Sequence, residues 1–519
     1  MNTDEKYDRF RKNRPIDIVN IGYLMFIFSI YTFRMHNKYF DITGTRASTF
    51  IYGTLIYVIL IAAAFAIEYV MMKYYQPDGK FFFNDAKFYQ KPEFWMVLFL
   101  VANVFAFLMS EDKAGSWTGE TGRRFGLGMI IVLTLMIILL SKEAFVNEWL
   151  FVLIVLASAT VFILAYVQHF GMDPFELRIK IVAKQKEMFI SSFGNINTYA
   201  SFICVVLPMF VAAFTFSGKL WIRVVAAIIT IMAGAAIIPA KSDNVYLGLG
   251  VAFIVLFYVA VLNKRLIEYM FSALLLFVGL EIMAILNSAF SGSRKHLNGI
   301  AEIVENPKIM FVLLMFVLLV TAAVLVFRKT NLEKYQDIQS WNSLLAFSLI
   351  LAVSIVGVIA VGIKTKNSFF VFNDKWGTFR GYIWRRGVSL FKIASPMQKI
   401  FGYGNETIGE LMQRYYYEEM VDITGKKYDN LHNELLQYLV TTGIFGLITY
   451  LGFVSSSFIY IGKRMKDNPV LIACLASGVA YFVQSLVNLN QPITTPYFFV
   501  VLATGIGYSR FLAERKDIE

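Results

Sequence analysis

The chain has 519 residues, 57% of them hydrophobic and only 16% charged, and its mean hydropathy is +0.60. A soluble protein of this length needs far more polar surface, so a soluble enzyme is excluded and an all-α, polytopic integral membrane protein is predicted, one membrane domain over residues 1–519. The net charge of +12 implies no nucleic-acid partner in such a chain: Lys and Arg at the ends of apolar runs set topology and meet headgroups, and a remainder can attract an anionic substrate.

Apolar runs of roughly 17–25 residues read as spanning helices, because backbone polar groups in lipid must be satisfied within the segment. Barrel strands would be shorter and would alternate polar with apolar residues, which these runs do not. About 14 spans (12–14) are expected. They centre near Met25, Ile61, Leu100, Leu133, Val155, Val206, Ile229, Ile254, Leu276, Leu314, Val353, Phe453, Gly478 and Val501. The polar start, MNTDEKYDRFRKNRP, lacks a small-residue cleavage site and reads as the cytoplasmic tail of the first helix.

Basic residues in short loops give the orientation. With the N-terminus inside, one side collects about 21 of them, including Lys73, Lys80, Lys87, Lys91, Lys264 and Arg265, against about 14 on the other. Both termini are then cytoplasmic and the long polar interruption at 364–433 is extracytoplasmic. Cys204 and Cys474 fall in separate apolar runs without metal spacing and read as packing residues. Asp173 to Ser192 opens on Asp-Pro and mixes apolar residues with Lys180, Lys184 and Lys186, which suits a helix in the headgroup layer.

The 364–433 loop is the largest polar interruption and the natural seat of chemistry. Lys375 to Ile393 can form an amphipathic helix with Phe379, Ile383 and Leu390 on one face and Arg380 and Trp384 on an adjoining one. Phe401-Gly402-Tyr403-Gly404 is a turn, Thr407 to Met420 a second short helix, and Gly425 to Asn430 irregular. His432 sits at the mouth of the next span. The sequence has no P-loop, no GxSxG elbow, no HExxH, no Cys/His cluster and no Asp-x-Asp pair. No metal or organic cofactor is therefore expected, nor a soluble activated-sugar donor. Three polar clusters share the outer side: Phe193-Gly194-Asn195-Ile196-Asn197, Pro239-Ala240-Lys241-Ser242-Asp243-Asn244, and the long loop.

RGYIWRRG at 380–387, FGYGN at 401–405 and LHNELLQYLVTTGIFGL at 431–447 resemble the membrane O-antigen ligase and polymerase family. The resemblance runs over about 190–462. It implies a fold like the C-type membrane glycosyltransferases, and a reaction in which a glycan on a polyprenyl diphosphate moves to an acceptor hydroxyl on the outer leaflet of the bacterial plasma membrane. It implies an inverting, metal-independent transfer. The acceptor would be a glycan, another lipid or a protein, with a chain-length regulator as a further partner. Fourteen spans favour polymerase over ligase. Where this family carries Ser-Arg the chain has Ser242-Asp243, which leaves Lys241 as the nearby cation.

The residue chemistry points the same way. A neutral imidazole takes a proton from a hydroxyl nucleophile, which suits His432. A diphosphate leaving group needs a fixed cation, which suits Arg380, with Arg385 and Lys241 behind it. Gly402 and Gly404 would let backbone approach the substrate. Asn433 and Asn197 suit sugar hydroxyls, and Trp376, Trp384 and Tyr403 suit sugar rings. Plainer readings stand beside these: His432 as a helix cap, Asn195 and Asn197 as caps of the sixth span, Arg380 and Arg385 as snorkelling side chains, Arg386 as solvated, Lys241 as a topology residue and the glycines as turn formers. His36, His169 and His296 read as structural. The rival function is a transporter or flippase of lipid-linked saccharides, which would place ionisable residues near the bilayer midplane; Glu68 and Glu281 fall near span ends instead. The orientation is checked by Gly425→Cys in intact cells: labelling by a membrane-impermeant thiol reagent is expected, and protection from it inverts the topology.

Overall fold

The computed structural model describes residues 14–75, 91–119, 123–290, 300–366 and 370–516. Helices α1 (Pro15–Phe26), α2 (Ile42–Tyr75), α3 (Pro92–Met109), α4 (Lys113–Thr118), α5 (Leu127–Leu140) and α6 (Glu148–His169) come first. Strands β1 (Phe189–Ile190) and β2 (Gly194–Asn195) pair antiparallel just before α7 (Ile196–Phe216). Then follow α8 (Leu220–Ala240), α9 (Asp243–Leu262), α10 (Leu266–Ala289), α11 (Ile300–Val304), α12 (Pro307–Thr330), α13 (Leu332–Ile338) and α14 (Trp341–Lys364). The long loop holds α15 (Trp376–Ile393), α16 (Pro396–Phe401), α17 (Ile408–Thr424) and α18 (Glu434–Thr441); α19 (Gly443–Gly462), α20 (Pro469–Ser485) and α21 (Thr495–Lys516) close the chain.

Every expected span centre falls in a helix, yet the count of fourteen spans is not reproduced. Among the described residues ten helices are long and apolar enough to cross a membrane: α2, α3, α6 to α10, α12, α14 and α19. Three more, Pro15–Tyr31, α5 and α20, are apolar but shorter. At 1.5 Å rise per residue α5 extends only about 21 Å, less than a hydrocarbon core of about 30 Å. Lys80, Lys87, His296 and the N-terminal tail lie outside the described residues.

Helix α7 is the centre of the bundle, with 83% of its most apolar window buried, and it packs against α8, α9, α10 and α20. Helices α8 and α10 touch backbone to backbone. A Cβ added at Gly279 would lie 2.0 Å from the Ile231 carbonyl oxygen, and one at Gly234 2.5 Å from that of Leu276. Lipid gives apolar side chains no reason to associate, so small residues and close packing hold such a pair. By contrast α12 and α14 are only 11% and 6% buried and face the surroundings with nearly continuous Leu, Ile, Val and Phe.

A short π-helical segment, Ile27–Tyr31, extends α1. The fully buried Arg46 donates to the Tyr31 carbonyl, to Thr32 O at 2.5 Å and to Ser192 O at 2.7 Å, with its guanidinium over the Tyr31 and Phe193 rings. One cation thus satisfies the carbonyls of the disturbed helix end and fixes the residues that lead into α7.

The segment from Asp173 to Ser192 is not the expected interfacial helix. Asp173 caps a turn, accepting from the backbone N–H of Leu177 and Arg178 at 3.1 and 2.8 Å. Glu176 and Ser191 then take left-handed backbone, and the chain proceeds as turns, a 3-10 segment (Ala183–Met188) and β1. Arg178, donating to the carbonyls of Gln168 and Phe189, ties the turn to the end of α6 instead of letting it extend.

Ion pairs fix the ends. Arg14 meets Glu68 at 2.9 Å and Glu143 at 2.5 Å, and Arg510 meets Glu93 and the Ser141 carbonyl. The first and last described helices therefore share one end of the bundle. The long loop lies at the other, where Asn405 donates to the Asn103 carbonyl at 3.2 Å and Arg414 pairs with Glu111 at 2.7 Å. Cys204 and Cys474 are buried free thiols, as packing residues would be.

Candidate active site

The long loop has its own apolar core. Tyr382, Ile383 and Leu390 of α15 close on Ile408, Leu411, Met412 and Met420 of α17, with Leu431 and Val440 completing the cluster. Arg386 pairs with Glu419 and lies over the Tyr382 and Tyr416 rings at 5.4 and 5.1 Å, so it fastens α15 to α17 rather than facing solvent as expected.

The start of α15 is unusual. Gly377, Thr378 and Phe379 all have left-handed backbone, with φ of 58°, 61° and 71°. For Thr378 and Phe379 that conformation costs on the order of 1–2 kcal/mol each. Regular helix begins at Arg380, whose Nη1 donates to the Gly377 carbonyl at 3.2 Å. Its Nε is buried with no hydrogen-bond partner. Burial pulls its guanidinium below the usual range, and the charges of Asp243 and Tyr428 oppose that. Asp243 is the first residue of α9, so the loop arginine hangs over that helix mouth.

His432 also has left-handed backbone, φ 47°, with its N–H donated to Asn430 Oδ1 at 2.7 Å. Nδ1 is covered and has no hydrogen-bond partner, and the Tyr428 ring meets the imidazole edge-on at 6.2 Å. The imidazole is pushed down to about 3, first by burial, then by the charges of Arg380 and Arg123, with Asp429 opposing. Arg123, between α4 and α5, pairs with Asp429. Cations from two distant parts of the chain thus bear on one imidazole.

The remaining expected residues are mostly spent on structure. Arg385 pairs with Asp374. Asn433 caps α18, accepting from Leu436 N at 2.9 Å. Asn197 Oδ1 accepts from Ser242 Oγ at 2.8 Å, joining the mouths of α7 and α9. Tyr403 OH donates to the Leu390 carbonyl at 3.1 Å. Trp384 stacks on Phe372 and meets Trp376 at a tilt, centroids 6.3 and 5.3 Å apart, and its indole N–H has no partner. Lys241 has left-handed backbone at the end of α8 and lies beside His169, which hydrogen-bonds Asn287 at 2.9 Å. Of the expected set, the structure brings only Arg380 and His432 into one electrostatic neighbourhood.

The glycines serve an interlock. A Cβ on Gly402 would lie 2.1 Å from the Thr441 carbonyl oxygen, and one on Gly443 2.2 Å from that of Ile400. Tyr403 N and Gly404 N donate to the carbonyls of Val440 and Thr441 at 3.1 and 3.0 Å. At Gly402 and Gly443 backbone approaches backbone.

Arg123, Asp429 and Glu434 were not anticipated. Arg123 sits beside Arg124 in a short connection and looks like a topology residue; its partner lies 306 positions later. Glu434 is fully buried between Ser485, Tyr450, Asn490 and Tyr438, and burial pushes its carboxyl up. Glu at the start of α18 reads from sequence as an ordinary first-turn acid.

An apolar helical bundle with an arginine and an imidazole, each keeping one buried nitrogen without a partner, gathered under a folded loop at one end defines a multi-pass membrane protein with a polar site at that end. Residues 306–451 match the family model described as O-antigen ligase, which supports the O-antigen ligase and polymerase family for this chain. The match spans the whole loop, with Arg380 and His432, and leaves Arg123, Asn197 and Lys241 outside it. The family implies a membrane glycosyltransferase with a lipid-linked glycan donor, in polysaccharide biosynthesis. Neither the curated proteins nor the solved structures gave a match. The interlock predicts that Gly402→Ala frees the loop: limited proteolysis should cut within 396–441 at least about tenfold faster, with cleavage elsewhere unchanged. An unaltered digestion pattern contradicts it.

Proposed function

We propose that the protein is a glycosyltransferase that moves a glycan from a polyprenyl diphosphate to an acceptor hydroxyl at the outer leaflet of the bacterial plasma membrane, extending a lipid-linked saccharide. The observation that carries this reading is the pairing of a covered, unpartnered imidazole with an arginine whose charge no described carboxylate neutralises at ion-pair distance. The matched family supports the class; the fourteen spans that favour polymerase in the sequence are not reproduced, so product size decides between polymerase and ligase.

In this reading neutral His432 takes the proton of the acceptor hydroxyl. The oxygen attacks the anomeric carbon from the face opposite the leaving group, so configuration inverts. The anomeric C–O bond breaks, and polyprenyl diphosphate leaves with the electron pair. Arg380 meets the growing negative charge, where a fixed cation in a water-poor site is worth several kcal/mol of transition-state stabilisation. The reaction needs no metal in this account, since side chains supply both the base and the cation. Transport is less well supported: Glu68 pairs with Arg14 at a bundle end, away from the midplane.

His432→Ala is expected to cut glycan transfer by about 100- to 10,000-fold, the usual contribution of a general base, with insertion and folding intact. Arg380→Lys should lose at least about tenfold, because an ammonium does not replace a planar fork. Normal product length in His432→Ala would falsify the assignment. The pH dependence adds a second check. A folded-state value near 3, against the usual 6.5, leaves His432 neutral in the donor-free protein. The profile of kcat/KM, which reports free enzyme, should therefore lack an acid limb between about pH 5 and 8. Bound diphosphate offsets the arginines, so the limb in kcat should rise toward the ordinary histidine value. A limb near 6.5 in kcat/KM and none in kcat is the contrary result.

A further inference from the structure

We infer that Arg123 is a second contact for the donor's diphosphate, contributed by the connection between α4 and α5 and held in place by Asp429. The inference rests on the glycosyl-transfer reading and adds a residue that neither the matched segment nor the sequence motifs include.

Three observations carry it. Arg123 Nη2 pairs with Asp429 Oδ1, three residues before His432, so the side chain reaches the imidazole's own segment. Its Nε is buried and has no hydrogen-bond partner, as with Arg380 Nε and His432 Nδ1. Three buried nitrogens without partners in one electrostatic neighbourhood leave donor capacity that an anion with several oxygens would fill. Finally, Gly119 has φ 79°, and a Cβ on Gly126 would lie 2.5 Å from Gly119 N, so the backbone three residues after Arg123 is held close against Gly119.

Charge makes a second cation necessary. A glycosylated diphosphate carries about two negative charges and gains another as it leaves. Arg380 already feels the carboxylate of Asp243 at the mouth of α9. Lys241 is beside His169, and its charge is not among those acting on His432. Arg123 is. An arginine fork can keep Asp429 on one edge and give its remaining N–H groups to a phosphate oxygen. Asp429 is then a positioning residue: it aims the guanidinium without touching the donor.

The test is binding of polyprenyl diphosphate, and separately polyprenyl monophosphate, to the purified full chain in lipid nanodiscs. Arg123→Gln is expected to weaken the diphosphate at least about tenfold, as loss of one charge-assisted contact does, and the monophosphate less than about threefold. Asp429→Asn should keep most of the diphosphate affinity, because the cation remains. Equal loss for both lipids, diphosphate affinity unchanged in Arg123→Gln, or Asp429→Asn losing as much as Arg123→Gln, each overturns the assignment; the last would mean that only the ion pair matters. Lys241→Gln losing as much as Arg123→Gln would move the contact to α8. Arg380→Gln separates the two levels. If it leaves diphosphate affinity unchanged, the donor reading itself fails; if it weakens binding and Arg123→Gln does not, this inference alone fails. Should Arg123→Gln misfold, the Arg123→Gln/Asp429→Asn pair removes both charges together, and the same diphosphate-selective loss is required of it.

Discussion

Positive charge held close to a covered imidazole is the constraint on which the rest of this structure depends. Arg380 and Arg123 both act on His432, while Asp429 alone opposes them there. Such an arrangement is unfavourable in an empty site: burial penalises each charged group, and like charges repel. It becomes favourable when an anion enters. In the proposed reaction, this arrangement keeps His432 neutral and the two cations incompletely compensated until the donor's diphosphate binds, which ties base strength to donor occupancy.

Holding cations together against their repulsion takes a rigid frame, and the loop supplies one. Its apolar core, the Arg386–Glu419 pair and the backbone interlock at Gly402 and Gly443 make it a small folded body. Three successive left-handed residues ahead of Arg380 carry backbone strain of a few kcal/mol, which that packing must sustain. The bundle below does the same for the helix mouths. Asn197 ties α7 to α9, and Arg46 locks the residues that lead into α7. Helix α14, barely buried like α12, leads into the loop from the bundle's edge.

The membrane bundle was legible in sequence because hydropathy reports on lipid, a uniform solvent. Every expected span centre lies in a helix, but helices such as α5 fall short of a full crossing, since apolar character and length are separate properties. In the loop, α15, the turn at Gly402 and α17 were readable from periodicity and glycine. The left-handed run was not, because Thr378 and Phe379 carry no signal for positive φ. Arg380 and His432 stood out by type and position. Arg385, Asn433 and Asn197 have the right chemistry, yet local partners use them, and capping or pairing is decided by geometry that sequence does not show. Arg123 was hidden for the opposite reason: its partner is 306 residues away. The Asp173–Ser192 segment misled because Asp-Pro starts turns as readily as helices.

The most direct test of the account is to give purified protein in lipid vesicles a polyprenyl-diphosphate-linked repeat unit and to resolve the products by size. The account predicts a ladder of lipid-linked glycans, with one polyprenyl diphosphate released for every linkage formed. Movement of the donor between leaflets without any new glycosidic bond would contradict it.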